Sequence, residues 1–135
     1  MSVSSSTKDE ISLKKFKEKV INDFRTVSLS REVSIQGRRE VLLGKGKFGI
    51  FGDGKELPQV VMSHFFKDGD YRSGYYRDQT LLMSQNLLSA REIFAAVYGH
   101  PDKLYEKMSG GRQMAGHFLT NTIDENNNWI DQTSQ

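Results

Sequence analysis

The residues best suited to chemistry lie in the stretch Ser73-Gly74-Tyr75-Tyr76-Arg77-Asp78-Gln79. An arginine at a loop-to-helix junction presents a planar fork of donors that matches phosphate oxygens. A neighbouring tyrosine hydroxyl adds one more donor. The same residues would also suit a surface arginine between two half-buried aromatics, an arrangement common on protein surfaces. A second candidate is Ser109-Gly110-Gly111-Arg112-Gln113-Met114-Ala115-Gly116-His117-Phe118, where glycines beside an arginine and a histidine fit a backbone approached closely by a ligand. A third, Gly44-Lys45-Gly46-Lys47-Phe48-Gly49, matches the GxGxxG pattern. It lacks the strand-borne lysine and later motifs of a kinase, and it follows a helical stretch where a dinucleotide fold needs a strand. Its glycines therefore serve to break a helix and release the chain into a turn. His64 falls on an apolar face and reads as a packed or surface histidine, not a ligand.

Helical segments must position these residues. Leu13, Phe16, Val20, Phe24 and Val27 recur at steps of three and four with lysines between them, which predicts an amphipathic helix over 8–27 with one buried stripe. A second helix is expected over 30–43, stopped by Gly44. Asp53 is placed to cap a helix that begins at Lys55-Glu56, tolerates Pro58 in its first turn and ends at 67–70. Leu81, Leu82, Leu87 and Leu88 form an apolar block, and Ser89-Ala90-Arg91-Glu92 is a capping box opening a short helix that ends at Gly99-His100-Pro101. In all, four or five helical stretches and no set of strands are expected. Residues 121–135 are polar, without apolar periodicity.

The 135 residues contain no cysteine, which excludes disulfides and thiolate chemistry. No apolar run is long enough to span a membrane, and no secretory leader is visible, so a cytoplasmic protein without a membrane partner is expected. Residues 1–47 carry 11 basic and 6 acidic residues, net +5, whereas residues 48–135 are net −3. A basic leading segment can attract nucleic acid or an acidic partner. The interleaved acids and the lack of a nucleic-acid fold signature favour a solvated helix face and no nucleic-acid partner.

Four motifs follow one another in order: Phe51-Gly52-Asp53-Gly54-Lys55-Glu56, Gly74-Tyr75-Tyr76-Arg77-Asp78, Arg91-Glu92-Ile93 and Gly110 to Phe118. Over residues 30–120 the chain resembles the N-terminal part of the alpha region of thiamine-diphosphate-dependent 2-oxoacid dehydrogenases. The branched-chain (2-oxoisovalerate) type is nearest, including forms with fused alpha and beta regions. The resemblance implies an α/β fold, the start of a thiamine-diphosphate-binding fold, with the part present here mostly helical. Residues 1–7 are Ser/Thr-rich and are expected to be disordered; with the resemblance, the expectation is a helical part of the cofactor-binding domain over 8–120 and a polar connecting tail over 121–135, the domain continuing beyond.

The implied activity is oxidative decarboxylation of a 2-oxoacid with acyl transfer to lipoyl groups, this segment supplying diphosphate-anchoring residues. By the same resemblance Tyr76 and Arg77 grip the cofactor diphosphate and Tyr75 stands beside them where the branched-chain enzymes often have glutamine. Phe48 lines the substrate pocket and His117 lies near the active-site mouth as a catalytic candidate. The cofactors would be thiamine diphosphate and Mg2+. Gly52-Asp53-Gly54 lacks the asparagine that follows a magnesium motif at the right distance, so the metal ligands are expected outside this chain. The partners would be the beta region or beta chain of the same enzyme, a lipoyl-bearing acyltransferase and the 2-oxoacid substrate. Two other classes remain open: a stand-alone binding or assembly module with a basic helical N-terminus, and a non-catalytic relative.

Overall fold

A computed structural model describes residues 12–67, 70–113, 121–123 and 129–134, so the expected disordered segment 1–7 lies outside the described residues. The architecture is mostly helical. Helix α1 (Leu13–Leu42) is followed by α2 (Glu56–Ser63), strand β1 (Tyr71–Ser73), α3 (Gln79–Ser84), α4 (Ala90–Val97), β2 (Asn121–Ile123) and β3 (Trp129–Ser134). None of the described helices is both long and apolar enough to cross a membrane.

Helix α1 corrects the expectation of two helices. It runs unbroken for 30 residues, with the Ser12 side chain accepting from the Lys15 amide at its start. Along the hydroxyl-rich stretch around 26–34 the side chains bond back one turn without breaking the helix: Thr26 to the Asn22 carbonyl at 3.0 Å and Ser34 to the Ser30 carbonyl at 3.1 Å. The helix ends where predicted. Gly44 takes φ +73°, and the amides of Lys45 and Gly46 both donate to the Glu40 carbonyl.

The buried face of α1 is a second correction. Leu13, Phe16, Val20 and Phe24 are 67%, 54%, 47% and 71% exposed, so the expected buried stripe lies on the surface except at its last member, Val27, which is half-buried. The core instead gathers Val33, Phe51, Leu82, Met83, Ile93 and Val97, joining the second half of α1 to α3, α4 and the loop before α2. Gly37 permits this packing, since a Cβ there would stand 2.3 Å from the Phe51 ring. Helix α4 opens with the expected capping box, Ser89 accepting from the Glu92 amide while Glu92 accepts from the Ser89 amide. Gly99 (φ +63°) closes it, with its amide on the Ala96 carbonyl and that of His100 on the Ala95 carbonyl.

A third correction concerns strands. The three short strands form one sheet in the order β1-β3-β2, β1 parallel and β2 antiparallel to β3, with Tyr71 opposite Gln132 and Asn121 opposite the same residue. Two of them fall within 121–135, the stretch expected to be a connecting tail. A ladder is held by main-chain amides and carbonyls, which leave no periodicity in a polar sequence.

Candidate functional site around Tyr75, Tyr76 and Arg77

The junction between β1 and α3 rests on a layer of buried polar side chains, and the turn before α2 lies against it. Helix α2 starts at Glu56, and by helical spacing Glu56, Gln59, Val60 and Ser63 share one face. Glu56, Gln59 and Val60 on that face are buried. Glu56 receives a two-pronged contact from Arg31 of α1, Nε to Oε1 at 2.7 Å and the second guanidinium nitrogen to Oε2 at 2.8 Å; its Oε2 also accepts the Gly54 amide at 2.9 Å. Asp53 does not cap the helix. It pairs with Arg38 at 2.6 Å, and that hydrogen bond holds its carboxyl below the usual range.

Helix α3 is fixed from beneath. The Gln79 amide nitrogen, in a side chain 2% exposed, donates to the Ser30 carbonyl at 3.0 Å, the Ser30 hydroxyl at 3.0 Å and the Ser34 hydroxyl at 2.9 Å. The Ser30 hydroxyl also bonds Thr80 at 2.6 Å. Gln59 of α2 donates to the Arg77 carbonyl at 2.7 Å and accepts from the Leu81 amide at 3.0 Å. On the other side of the junction, Asp78 accepts from the Tyr75 amide at 2.9 Å and pairs with the buried Arg72 of β1. Gly52 lies so near that a Cβ there would stand 2.5 Å from the Arg77 carbonyl oxygen.

Three of the candidates are thereby brought together. The Tyr75 and Tyr76 rings lie 3.9 Å apart, and the Tyr75 hydroxyl donates to that of Tyr76 at 2.6 Å. That bond, with some loss of solvent, raises the Tyr75 hydroxyl above the ordinary phenol value. The exposed Arg77 guanidinium sits 5.3 Å over the Tyr76 ring and has no carboxylate partner among the described residues. One hydroxyl already oriented by its neighbour and one planar cation on a fixed backbone can donate to an oxyanion such as a phosphate.

The remaining candidates are elsewhere. Phe48 is half-buried in a recess of about 80 Å3 at the end of α4, shared with Lys47, Val97, Gly99, Gly111 and Arg112; none of Tyr75, Tyr76 and Arg77 lines it. The glycines of the Gly110-Gly111 motif have a structural task there: both have positive φ, and a Cβ on Gly111 would come 2.3 Å from the Gly99 carbonyl oxygen. His117 lies outside the described residues. His64 bonds Asp23 of α1 at 2.9 Å, a surface contact joining α2 to α1. Among the described residues no group of three His, Asp or Glu side chains could hold a metal ion.

Sequence reasoning passed over Gln59 and gave Glu56 and Gln79, although they fall in the motifs it singled out, no part in holding the site. The available signal was an amide or carboxylate at helical spacing from Val60, or directly before Leu81-Leu82, where a polar side chain must be buried with a partner.

Comparison with known proteins adds no relative: no family model, no curated protein and no solved structure significantly matches the chain.

Proposed function

We propose that this chain supplies diphosphate-anchoring residues to the decarboxylating component of a 2-oxoacid dehydrogenase complex, in an α/β thiamine-diphosphate-binding fold. The observation that carries the reading is the Tyr76–Arg77 pair: an exposed guanidinium without a carboxylate partner among the described residues, on a backbone held by Gln59 and Asp78. Two donors of this chemistry fit a diphosphate, and a third polar group, the Tyr75 hydroxyl, orients one of them. The chemistry that thiamine diphosphate supplies when bound is a carbon nucleophile for the 2-oxo group and an electron sink for the charge left by decarboxylation. In this reading the task of the chain's own residues is binding and orientation. Arg77 neutralises phosphate charge, Tyr76 donates a hydrogen bond, and the polar layer beneath α3 keeps both in place. Phe48 would line a substrate pocket, His117 would stand at its mouth, and Mg2+ would be held by residues outside this chain. The beta region, the lipoyl-bearing acyltransferase and the 2-oxoacid are the proposed partners, in the cytoplasm.

The test is calorimetric binding of thiamine diphosphate and of inorganic pyrophosphate to the complete enzyme carrying this chain, wild type against Arg77→Ala. A loss of about tenfold or more for both ligands is expected, since charge-assisted bonds contribute ~1.5–3 kcal/mol each. Unchanged affinity would sink the assignment.

A second reading has its own observation. Lys14, Lys15, Lys17, Lys19 and Arg25 stand on the exposed first half of α1 beside its uncovered apolar residues. A stand-alone binding or assembly module would use this basic helix. Salt-dependent retention on nucleic acid or on an acidic protein, with no response to pyrophosphate, would select it.

A further inference from the structure

We infer that Gln59 is the positioning residue that sets the direction in which Arg77 presents its guanidinium, so that anion affinity at the β1–α3 junction is controlled from helix α2. The inference deepens the diphosphate reading above and rests on it for the identity of the anion, though not for the positioning itself.

The geometry is specific to this one side chain. Arg77 lies two residues before α3, outside the helical ladder; at one end of its peptide plane the Asp78 amide donates to the Tyr75 carbonyl at 3.1 Å in a turn, and the carbonyl end is left to a side chain. Its carbonyl oxygen is held by the Gln59 amide nitrogen at 2.7 Å, while the other end of the same amide accepts from Leu81, inside α3, at 3.0 Å. A single planar group thus ties the residue before the helix to its first turn. Gln59 is 8% exposed and belongs to the rigid face of α2 that also carries Glu56, so the tie cannot swing freely. The close approach of Gly52 closes the far side of the Arg77 carbonyl. The Gln79 bonds to Ser30 and Ser34 fix α3 to α1 but do not touch Arg77. Among the described residues, Gln59 is the side chain that orients this peptide.

Gln59→Met keeps the volume and removes both bonds; Gln59→Asn, one methylene shorter, spans only one of the two partners and guards against a variant that fails to fold. The chain is labelled for NMR, and the Arg77 Nε–Hε signal is followed beside that of Arg91, which stacks on Tyr105 at 4.6 Å and serves as an internal reference. Pyrophosphate is the titrant. Ser89→Ala, in the cap of α4 and remote from the junction, controls for general destabilisation.

Both Gln59 variants should move the Arg77 signal toward that of a freely rotating arginine while leaving Arg91 in place. They should weaken pyrophosphate binding about tenfold, whereas Ser89→Ala changes it less than about twofold. An Arg77 signal unmoved by either Gln59 variant, or a loss of affinity no greater than that of Ser89→Ala, would overturn the inference. Arg77→Ala separates the two claims. If it binds pyrophosphate like the wild type, the diphosphate reading falls and the Arg77 signal alone decides on Gln59. If it loses binding and the Gln59 variants do not, only the positioning role is overturned.

Discussion

The two halves of α1 invert the usual relation between hydrophobic pattern and burial. The first half has the regular stripe, Leu13, Phe16, Val20 and Phe24, and that stripe is open to solvent. The second half offers Ser30, Val33, Ser34 and Gly37 on one face, and all four are buried. The difference lies in what each half meets. Residues 30–41 face α2, α3, α4 and the Phe51 loop. Residues 13–22 extend past the His64–Asp23 contact that marks the end of α2, and nothing among the described residues covers their apolar side. Periodicity fixes which side of a helix is apolar; tertiary contact decides which side is buried. Where two helices approach closely, small and hydroxyl side chains are what fits, and their polar atoms must then be paired.

The comparison breaks most sharply at Gln79. Gln79→Leu adds apolar surface to the buried half and by hydrophobicity alone should stabilise it. It also removes the donor that Ser30 and Ser34 share: the Ser30 hydroxyl keeps Thr80 and the Ser30 carbonyl keeps the Ser34 hydroxyl, but the Ser34 hydroxyl loses the donor it accepts from. An unsatisfied buried polar group costs ~1–3 kcal/mol, so a net loss of about 2 kcal/mol is expected in urea unfolding. An unchanged midpoint would mean that the polar layer is incidental.

The next effect tests whether buried polar atoms matter away from α1. Glu106 is 3% exposed, and its carboxylate gathers the amides of Met108, Ser109 and Gly111 and the Ser109 hydroxyl into one turn. Burial alone would raise its carboxyl, but the amides of Gly111 and Ser109 with the Ser109 hydroxyl outweigh it and hold the group below its ordinary value of 4.5. A carboxyl depressed in the folded state contributes stability above its unfolded value, which is lost as pH falls through the folded one. Glu106→Gln should therefore cost about 2 kcal/mol at pH 7, with the gap to wild type closing below about pH 4. A gap that stays constant from pH 7 to pH 3 would place the effect in packing, not in the charge.

Ser89→Ala should cost about 1 kcal/mol, the ordinary worth of a helix cap. Its local motif is legible because both partners lie three residues apart in the chain. The glycine stop at Gly44 and the Gly99 terminus are legible for the same reason: the cause and the effect share one short segment. The arrangement under Arg77 is not of that kind. Gln59 and Arg77 are 18 positions apart, and Gln79 and Ser30 are 49 apart, so no local pattern joins them. The sequence marked Tyr75, Tyr76 and Arg77 as chemically able, yet the residues that hold them carry no motif of their own. The Asp53 cap expected from the sequence does not form for a similar reason: Arg38, 15 positions earlier, takes its carboxylate.

The smallest expected effect sharpens the comparison from its other side. Phe16 and Phe24 belong to the most regular apolar pattern in the sequence, and a buried phenylalanine truncated to a small residue typically costs ~3–5 kcal/mol. Both are more than half exposed along α1, so the side chains gain little from folding. Phe16→Ser and Phe24→Ser should each change the unfolding free energy of this chain by less than about 0.5 kcal/mol, the range for surface positions. Serine and phenylalanine are about equal as helix formers, so the helix signal should stay nearly the same. The informative result is the contrast with Val33→Ala in the second half of the same helix, where a side chain 3% exposed loses core contacts with no stripe to announce them. If Phe16→Ser destabilised the chain as much as Val33→Ala, the stripe would have to be buried against something, and the apolar pattern rather than tertiary contact would have been the better guide.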